Sequence, residues 1–254
     1  KRKDFPLFSE ESTYTDDTVM TLAVAEAFLD MQFAEDDDVT RDRLVAYLRH
    51  WGCRFPWAGY GLRFRQWLQG PWPEPYNSCG NGSAMRVSAV GWLFEDLQMT
   101  RAMARLSAAV THNHPEGIKG AESVAMAIYL ARVGASMDEI RERMIEYYPE
   151  IATLKVDKIR EYCNVDDGTF ITCQRSVPEA IVCFLESTSF EDAVRNAVSL
   201  GGDADTQGAI TGSIAEAYYG VPIELEDKAL SYLLPKLETI YYAFNTVKEK
   251  RVIK

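Results

Sequence analysis

The stretch "TDDTVMTLAVAEAFLDMQF", residues 15–33, decides the fold. Val19, Leu22, Ala23, Leu29 and Phe33 recur at helical spacing and make a stripe that faces a core. Thr15 is a suitable N-cap. Asp16 and Asp17 fall in the first turn, where the positive end of the helix dipole favours carboxylates. Beyond the acidic turn "AEDDD", "VTRDRLVAYLRHW" (39–51) repeats the helical pattern. Residues 52–82 differ: they hold four of the ten prolines and six of the sixteen glycines, interleaved with Trp57, Tyr60, Trp67 and Trp72. That composition predicts a stretch that is largely loop. Helical periodicity resumes at 84–96 and continues to "VPEAIVCFLES" (177–187), "TQGAITGSIAEAYYG" (206–220) and "DKALSYLLPKLETIYYAFNTV" (227–247). Alternating strand patterns are scarce, with "GTFITC" (168–173) the best candidate. The expectation is an all-α fold, a compact multi-helix bundle of about ten helices joined by short Gly- or Pro-marked turns. No linker or fixed-period repeat divides it, so residues 1–254 are expected to form a single domain.

The chain of 254 residues is 47% hydrophobic and 26% charged, a globular composition long enough to bury a large core. Its net charge of −11 works against general nucleic-acid binding and against an anionic membrane surface, since both need a basic face. Cys53, Cys79, Cys163, Cys173 and Cys183 are odd in number and contain no C-x-x-C pair, so neither a disulfide framework nor a thiolate zinc site is indicated. A reducing cytoplasm is the expected setting. No apolar run reaches transmembrane length, and no secretory h-region opens the chain, which begins "KRKDFPLF" without Met.

A second acidic helix start lies near the other end. In "SLGGDADTQGAITGSIAEAYYG" (199–220), Gly201 and Gly202 lead into Asp203, Asp205 and Thr206 ahead of a helix of small residues. Asp16, Asp17, Asp203, Asp205 and Thr206, with Thr15, are hard oxygen donors of the type that Mg²⁺ or Mn²⁺ takes. Asp203 and Asp205 at i, i+2 can bite one ion, whereas Asp16 and Asp17 can diverge to bridge two. Two independent helix caps explain the same residues. The density of Gly201, Gly202, Gly208 and Gly212 implies either a close backbone approach to a ligand or close helix packing.

Other motifs carry less. "EDDDV", with Asp36, Asp37 and Asp38, lacks a second acidic pair and is read as a solvated turn. "THNHPEG" places His112 and His114 near Glu116, without a third soft ligand at helical spacing for zinc. In "NSCGNGSAMR" (77–86), Gly80, Gly82 and Ser83 expose backbone N–H groups ahead of a helix, which makes a natural anion cradle.

Together, "TYTDDTVMTLAVAEAFL", "NSCGNGSAMRVSAVGW", "THNHPEGIKGAESVAMAIYLAR", "SVPEAIVCFLES" and "SLGGDADTQGAITGSIAEAYYG" resemble the ADP-ribosylglycohydrolase family, in this order from residue 13 to residue 220. The resemblance implies the all-α fold of that family and a binuclear Mg²⁺ or Mn²⁺ centre. Thr15, Asp16 and Asp17 match its first metal-binding group, and Asp203, Asp205 and Thr206 its second. It also implies that Asn77, Ser78, Cys79, Gly80, Asn81, Gly82 and Ser83 hold the diphosphate and that His112 lies beside the substrate. The family opens with a Gly-rich helix and a glutamate near the metals; this sequence starts downstream of both, and Glu10 and Glu11 do not match that motif.

The activity implied is hydrolysis at C1″ of an ADP-ribosyl group, with Asp16, Asp17 and Asp205 close enough to orient the water. The partner implied is ADP-ribose or an ADP-ribosylated substrate, and a monomer is expected. The alternatives are a catalytically idle ADP-ribose-binding relative and a metal-dependent phosphohydrolase.

Overall fold

The computed structural model describes residues 1–30, 37–71, 73–163 and 169–250. Phe33, Asp36, Trp72 and Gly168 lie outside the described residues. Fourteen α-helices are found among the described residues: α1 (Asp16–Leu29), α2 (Asp37–Arg54), α3 (Leu62–Gln69), α4 (Gly82–Met85), α5 (Ser88–Leu93), α6 (Leu97–Ala109), α7 (Pro115–Arg132), α8 (Met137–Tyr147), α9 (Val156–Tyr162), α10 (Cys173–Leu185), α11 (Phe190–Leu200), α12 (Ala204–Tyr219), α13 (Ile223–Leu230) and α14 (Pro235–Glu249). Two short 3₁₀ turns, Pro149–Ala152 and Thr169–Ile171, complete the described helical structure. The all-α expectation holds, with more and shorter helices than the periodicity alone gives.

Helix α7 lies at the centre and packs against α4, α5, α6, α8, α10 and α12. Its apolar and small residues from Ala121 to Ile128 are buried on every side, as a helix surrounded by others requires. Gly91 lets α5 approach α7, because a Cβ there would come within 2.6 Å of Ile128 side-chain atoms. Helix α1 is buried in the same way: Val19, Met20, Ala23, Val24, Ala27 and Phe28 all lie within the core.

Four sequence expectations are corrected. Residues 62–69 form α3 inside the Gly/Pro-rich stretch, since Phe64, Trp67 and Leu68 sit at i, i+3 and i+4 and bury one face. The segment 227–247 is two helices, broken where Pro235 takes the first position of α14 and cannot continue α13. Helix α10 begins four residues ahead of Val177 and contains Pro178 near its start, where the lost N–H costs one bond. "GTFITC" is no strand: Thr169–Ile171 is a 3₁₀ turn, and Thr172 makes only one isolated antiparallel bridge, to Gly80.

Candidate functional site

The two acidic helix starts open onto one cleft of about 390 Å³. Asp16 and Asp17 reach it from the N-terminal turn of α1, and Asp203, Asp205 and Thr206 from that of α12. Ala58 anchors the first group by accepting the Asp16 backbone N–H at 2.7 Å. Gly59, with φ +116°, keeps the chain clear of Asp16: a Cβ there would lie 3.0 Å from Asp16 Oδ1. Thr15 is the N-cap residue, yet its hydroxyl donates to Asp17 Oδ2 at 3.0 Å instead of accepting a helix N–H. Gly201 and Gly202, at φ +80° and +73°, turn the chain from α11 into α12, a conformation other residues rarely adopt. Gly208 and Gly212 have a different role, since added Cβ atoms would meet only Val198 and Val194 of α11 at 3.9 and 3.8 Å.

The carboxylates are electrostatically unbalanced. Burial pushes the Asp17 carboxyl up to about 7, the charges of Asp205 and Asp16 add to the shift, and the Thr15 and Thr206 hydroxyls oppose it. Burial raises Asp16 to about 6, with a backbone hydrogen bond opposing and Asp205 adding. Asp203 is raised to about 6 by burial and by Asp205, against a hydrogen bond from Asn81. No Lys or Arg pairs with these four carboxylates among the described residues. Asp17 Oδ1 is buried without a hydrogen-bond partner.

Hard oxygen donors, an orphaned buried oxygen and uncompensated negative charge fit a divalent cation. Among the described residues, no three His, Cys, Asp or Glu side chains already converge as ligands of one ion.

Ser78, Gly80, Asn81, Gly82 and His112 line the same cleft. Asn77 is exposed in a left-handed conformation (φ 52°), with its N–H donating to Asn113 Oδ1 at 2.7 Å. Cys79 and Ser83 anchor the loop from behind. The Cys79 carbonyl accepts the Cys173 N–H at 2.9 Å, and the buried Ser83 hydroxyl donates to the Gly117 carbonyl at 2.7 Å. Gly117 has no room for a side chain: a Cβ would lie 2.6 Å from the Ser78 carbonyl oxygen.

His112 is buried, and burial together with the Arg86 and Arg63 charges lowers its pKa well below the usual value, so the imidazole is neutral. Arg86 Nη2 donates to Thr111 Oγ1 at 2.8 Å, and that hydroxyl sits 2.7 Å from His112 Nδ1. With the hydroxyl hydrogen directed to Nδ1, this network assigns the proton to Nε2, the nitrogen that faces Gly82 and Gly80. His112 therefore presents a donor to the loop and the cleft. His114, by contrast, caps α7 by accepting the Glu116 N–H at 3.1 Å.

Sequence reasoning missed Arg63, Tyr76 and Arg86, which also line the cleft. Arg63 donates to the Tyr76 carbonyl and lies over the Tyr76 ring at 4.9 Å, and that ring is 5.8 Å from His112. The only prior sign of them was aromatic and basic residues scattered around the Gly-rich loop. Phe170 is buried under the Arg175 guanidinium at 4.6 Å and belongs to the core. Trp57 is 83% exposed, whereas Tyr60 and Trp67 are core residues.

A model of the ADP-ribosylglycohydrolase family matches residues 2–236. ADP-ribosylhydrolase ARH3 of Mus musculus is 28% identical over 268 residues, covering 84% of this chain and 71% of that protein. The Bos taurus ARH3 is 30% identical over 270 residues, covering 84% of this chain and 72% of its own. ADP-ribosylarginine hydrolase Tri1 of Pseudomonas putida is 28% identical over 249 residues, with 88% and 64% covered. A solved structure described as an ADP-ribosylglycohydrolase-related protein complex superposes with a TM-score of 0.63 at 26% identity, over 92% of this chain and 81% of that one. A family match along nearly the whole chain, together with a solved structure of related description on the same fold, means that this protein belongs to the ADP-ribosylglycohydrolase family of glycosidic-bond hydrolases.

Proposed function

We propose that the chain removes ADP-ribosyl groups by hydrolysing the bond at C1″ of ADP-ribose, with Mg²⁺ or Mn²⁺ held between the starts of α1 and α12. The observation that carries this reading is the meeting of four carboxylates from opposite ends of the chain in one cleft, with no Lys or Arg paired to them among the described residues. Such ions, when bound, would supply Lewis-acid activation of water and of the ribose hydroxyls. Asp16, Asp17 and Asp203 with Asp205 would hold them, and Thr15 and Thr206 add neutral oxygens. As C1″ gains oxocarbenium character, Asp16, Asp17 and Asp205 orient the water on one face of the ribose.

The other end of the cleft suits the anionic part of the substrate. Gly80 and Gly82 allow close backbone approach, and His112 Nε2–H faces the same loop. Arg63 and Arg86 are the two cations lining the cleft; Arg86 is wholly buried, with its Nη2 donating to the Ser107 carbonyl and to Thr111 Oγ1 and its Nε unpartnered. Arg63 is exposed and makes no ion pair among the described residues, so it is the cation available to a diphosphate. Arg63→Gln is expected to raise KM about 10-fold with kcat within about twofold, because a charge-assisted contact made equally in ground and transition states affects binding alone. An unchanged KM overturns this assignment.

The test of the function is a panel of ADP-ribosylated substrates, with the acceptor joined through arginine, serine, a nucleobase or an acetyl ester, incubated with Mg²⁺ or Mn²⁺. Release of ADP-ribose measured by mass supports the reading. Tight ADP-ribose binding with no product supports the idle relative, and release of phosphate the phosphohydrolase.

A further inference from the structure

Ser176 lies wholly buried on the first turn of α10, outside the cleft. Its single hydroxyl hydrogen is donated to the Phe170 carbonyl. The oxygen can therefore only accept, and Asn81 Nδ2 donates to it at 2.9 Å. The other hydrogen on Asn81 Nδ2 goes to Asp203 Oδ2 at 2.6 Å. Both amide hydrogens are thus committed, and Asn81 has no N–H left in its side chain for a phosphate. Flipping the amide would set Asn81 Oδ1 against the Asp203 carboxylate and against a hydroxyl whose hydrogen is already used. The Ser176–Phe170 bond fixes which way Asn81 faces.

We propose that Ser176 is a positioning residue: acting through Asn81, it fixes the rotamer of Asp203 and so presets the α12 half of the cation site. In this arrangement Asn81 works toward Asp203, and the anion-cradling role falls to the backbone around it. The backbone supports the coupling, because the Asn81 N–H donates to the Ile171 carbonyl at 2.9 Å, one residue beyond the carbonyl that Ser176 holds. Loop 79–81, the turn at Thr169–Ile171 and the start of α10 are tied together, and Asp203 hangs from that knot. The inference rests on the reading above in one respect, that Asp203 faces a divalent cation.

Mn²⁺ affinity, measured by calorimetry on the full chain without substrate, is the decisive quantity. Ser176→Ala is expected to weaken Mn²⁺ binding about 10-fold and to lower kcat by a similar factor with KM within about twofold, as loss of a ligand's supporting hydrogen bond does. Ser176→Cys, which keeps a weaker hydrogen-bonding group, is expected to fall between wild type and Ser176→Ala. Asn81→Ala is expected to weaken Mn²⁺ binding at least as much, and adding Ser176→Ala to it should change nothing further, because Ser176 acts only through Asn81. Melting temperatures in chelator identify any variant that has lost its fold, and the Cys variant then decides. Additive effects, or a raised KM with unchanged Mn²⁺ affinity, overturn the inference. Wild-type protein that binds no Mn²⁺ overturns instead the cation reading on which it rests.

Discussion

Asp17→Asn is expected to cut turnover about 10³-fold, roughly 4 kcal/mol of barrier, while raising the melting temperature of the metal-free protein. Both effects have one cause. Asp17 is 6% exposed, with one oxygen unpartnered and the charges of Asp205 and Asp16 beside it. On the proposed reading, a divalent cation in the cleft balances this carboxylate. Without one, its pKa rises from the ordinary 3.8 to about 7, so the folded state holds a proton that the unfolded chain releases. A raised folded-state pKa means that stability is greatest below the unfolded pKa and declines as pH climbs through the folded one. Wild type in chelator should therefore lose thermal stability between about pH 4 and pH 7, by an amount on the order of a few kcal/mol. The asparagine amide carries no titratable charge, so this part of the loss disappears in the variant. Added Mn²⁺ should reverse the wild-type loss and do much less for the variant. Scanning fluorimetry across pH, with and without Mn²⁺, beside a turnover assay reads both halves. An Asp17→Asn protein of wild-type activity, or a chelated wild type that grows more stable toward pH 7, sinks this account of Asp17.

What the sequence revealed of this site follows from how local each signal was. Asp16, Asp17, Asp203 and Asp205 were legible because an acidic pair at a helix start is a short-range pattern; finding it twice left one shared site and two independent caps both open, and the family resemblance linked the two groups. That the two starts meet is a tertiary fact, produced by α1 and α12 packing against each other and against α4. Ser176 was not legible. In "CQRSVPEA" it reads as a polar residue ahead of a proline, and its meaning lies in hydrogen bonds to Asn81 and Phe170. Arg63 was hidden for another reason: the Gly and Pro content of residues 52–82 masked the helical period of α3, which carries Arg63 into the cleft wall. Helix boundaries failed where proline acted at a distance from the apolar period, as at Pro178 and Pro235. The fold class survived these errors because α1, α7 and α10 have buried faces that no strand period fits.

Glu122→Ala tests the opposite kind of carboxylate, one whose charge the fold itself satisfies, and is expected to destabilise the protein by about 3 kcal/mol. Glu122 is buried on α7 and ties three helices together. Its Oε1 accepts from Arg101 Nε at 2.8 Å and from the Tyr147 hydroxyl at 2.7 Å, and its Oε2 accepts from Arg105 Nη1 at 2.8 Å. Arg101 and Arg105 are 41% and 57% exposed, so they regain water once the carboxylate is gone, which keeps the cost toward the lower end for a broken buried pair. For a protein of this size the change corresponds to a fall in melting temperature of roughly 10 °C. Burial raises the Glu122 pKa, but the hydrogen bonds from Tyr147, Arg105 and Arg101 outweigh it and the net shift is downward. A depressed carboxylate pKa contributes stability that is complete above the unfolded value and fades as pH falls through the folded one. The gap between wild type and Glu122→Ala should therefore be widest near neutral pH and narrow below about pH 4.5. This is the reverse of the slope that Asp17 imposes. Because Glu122 does not line the cleft, kcat/KM of the folded variant at 25 °C should stay within about twofold of wild type. A variant that keeps its melting temperature denies the network its role, and one that melts as expected but loses turnover shows that α7 transmits the damage to Gly117 and the loop it supports.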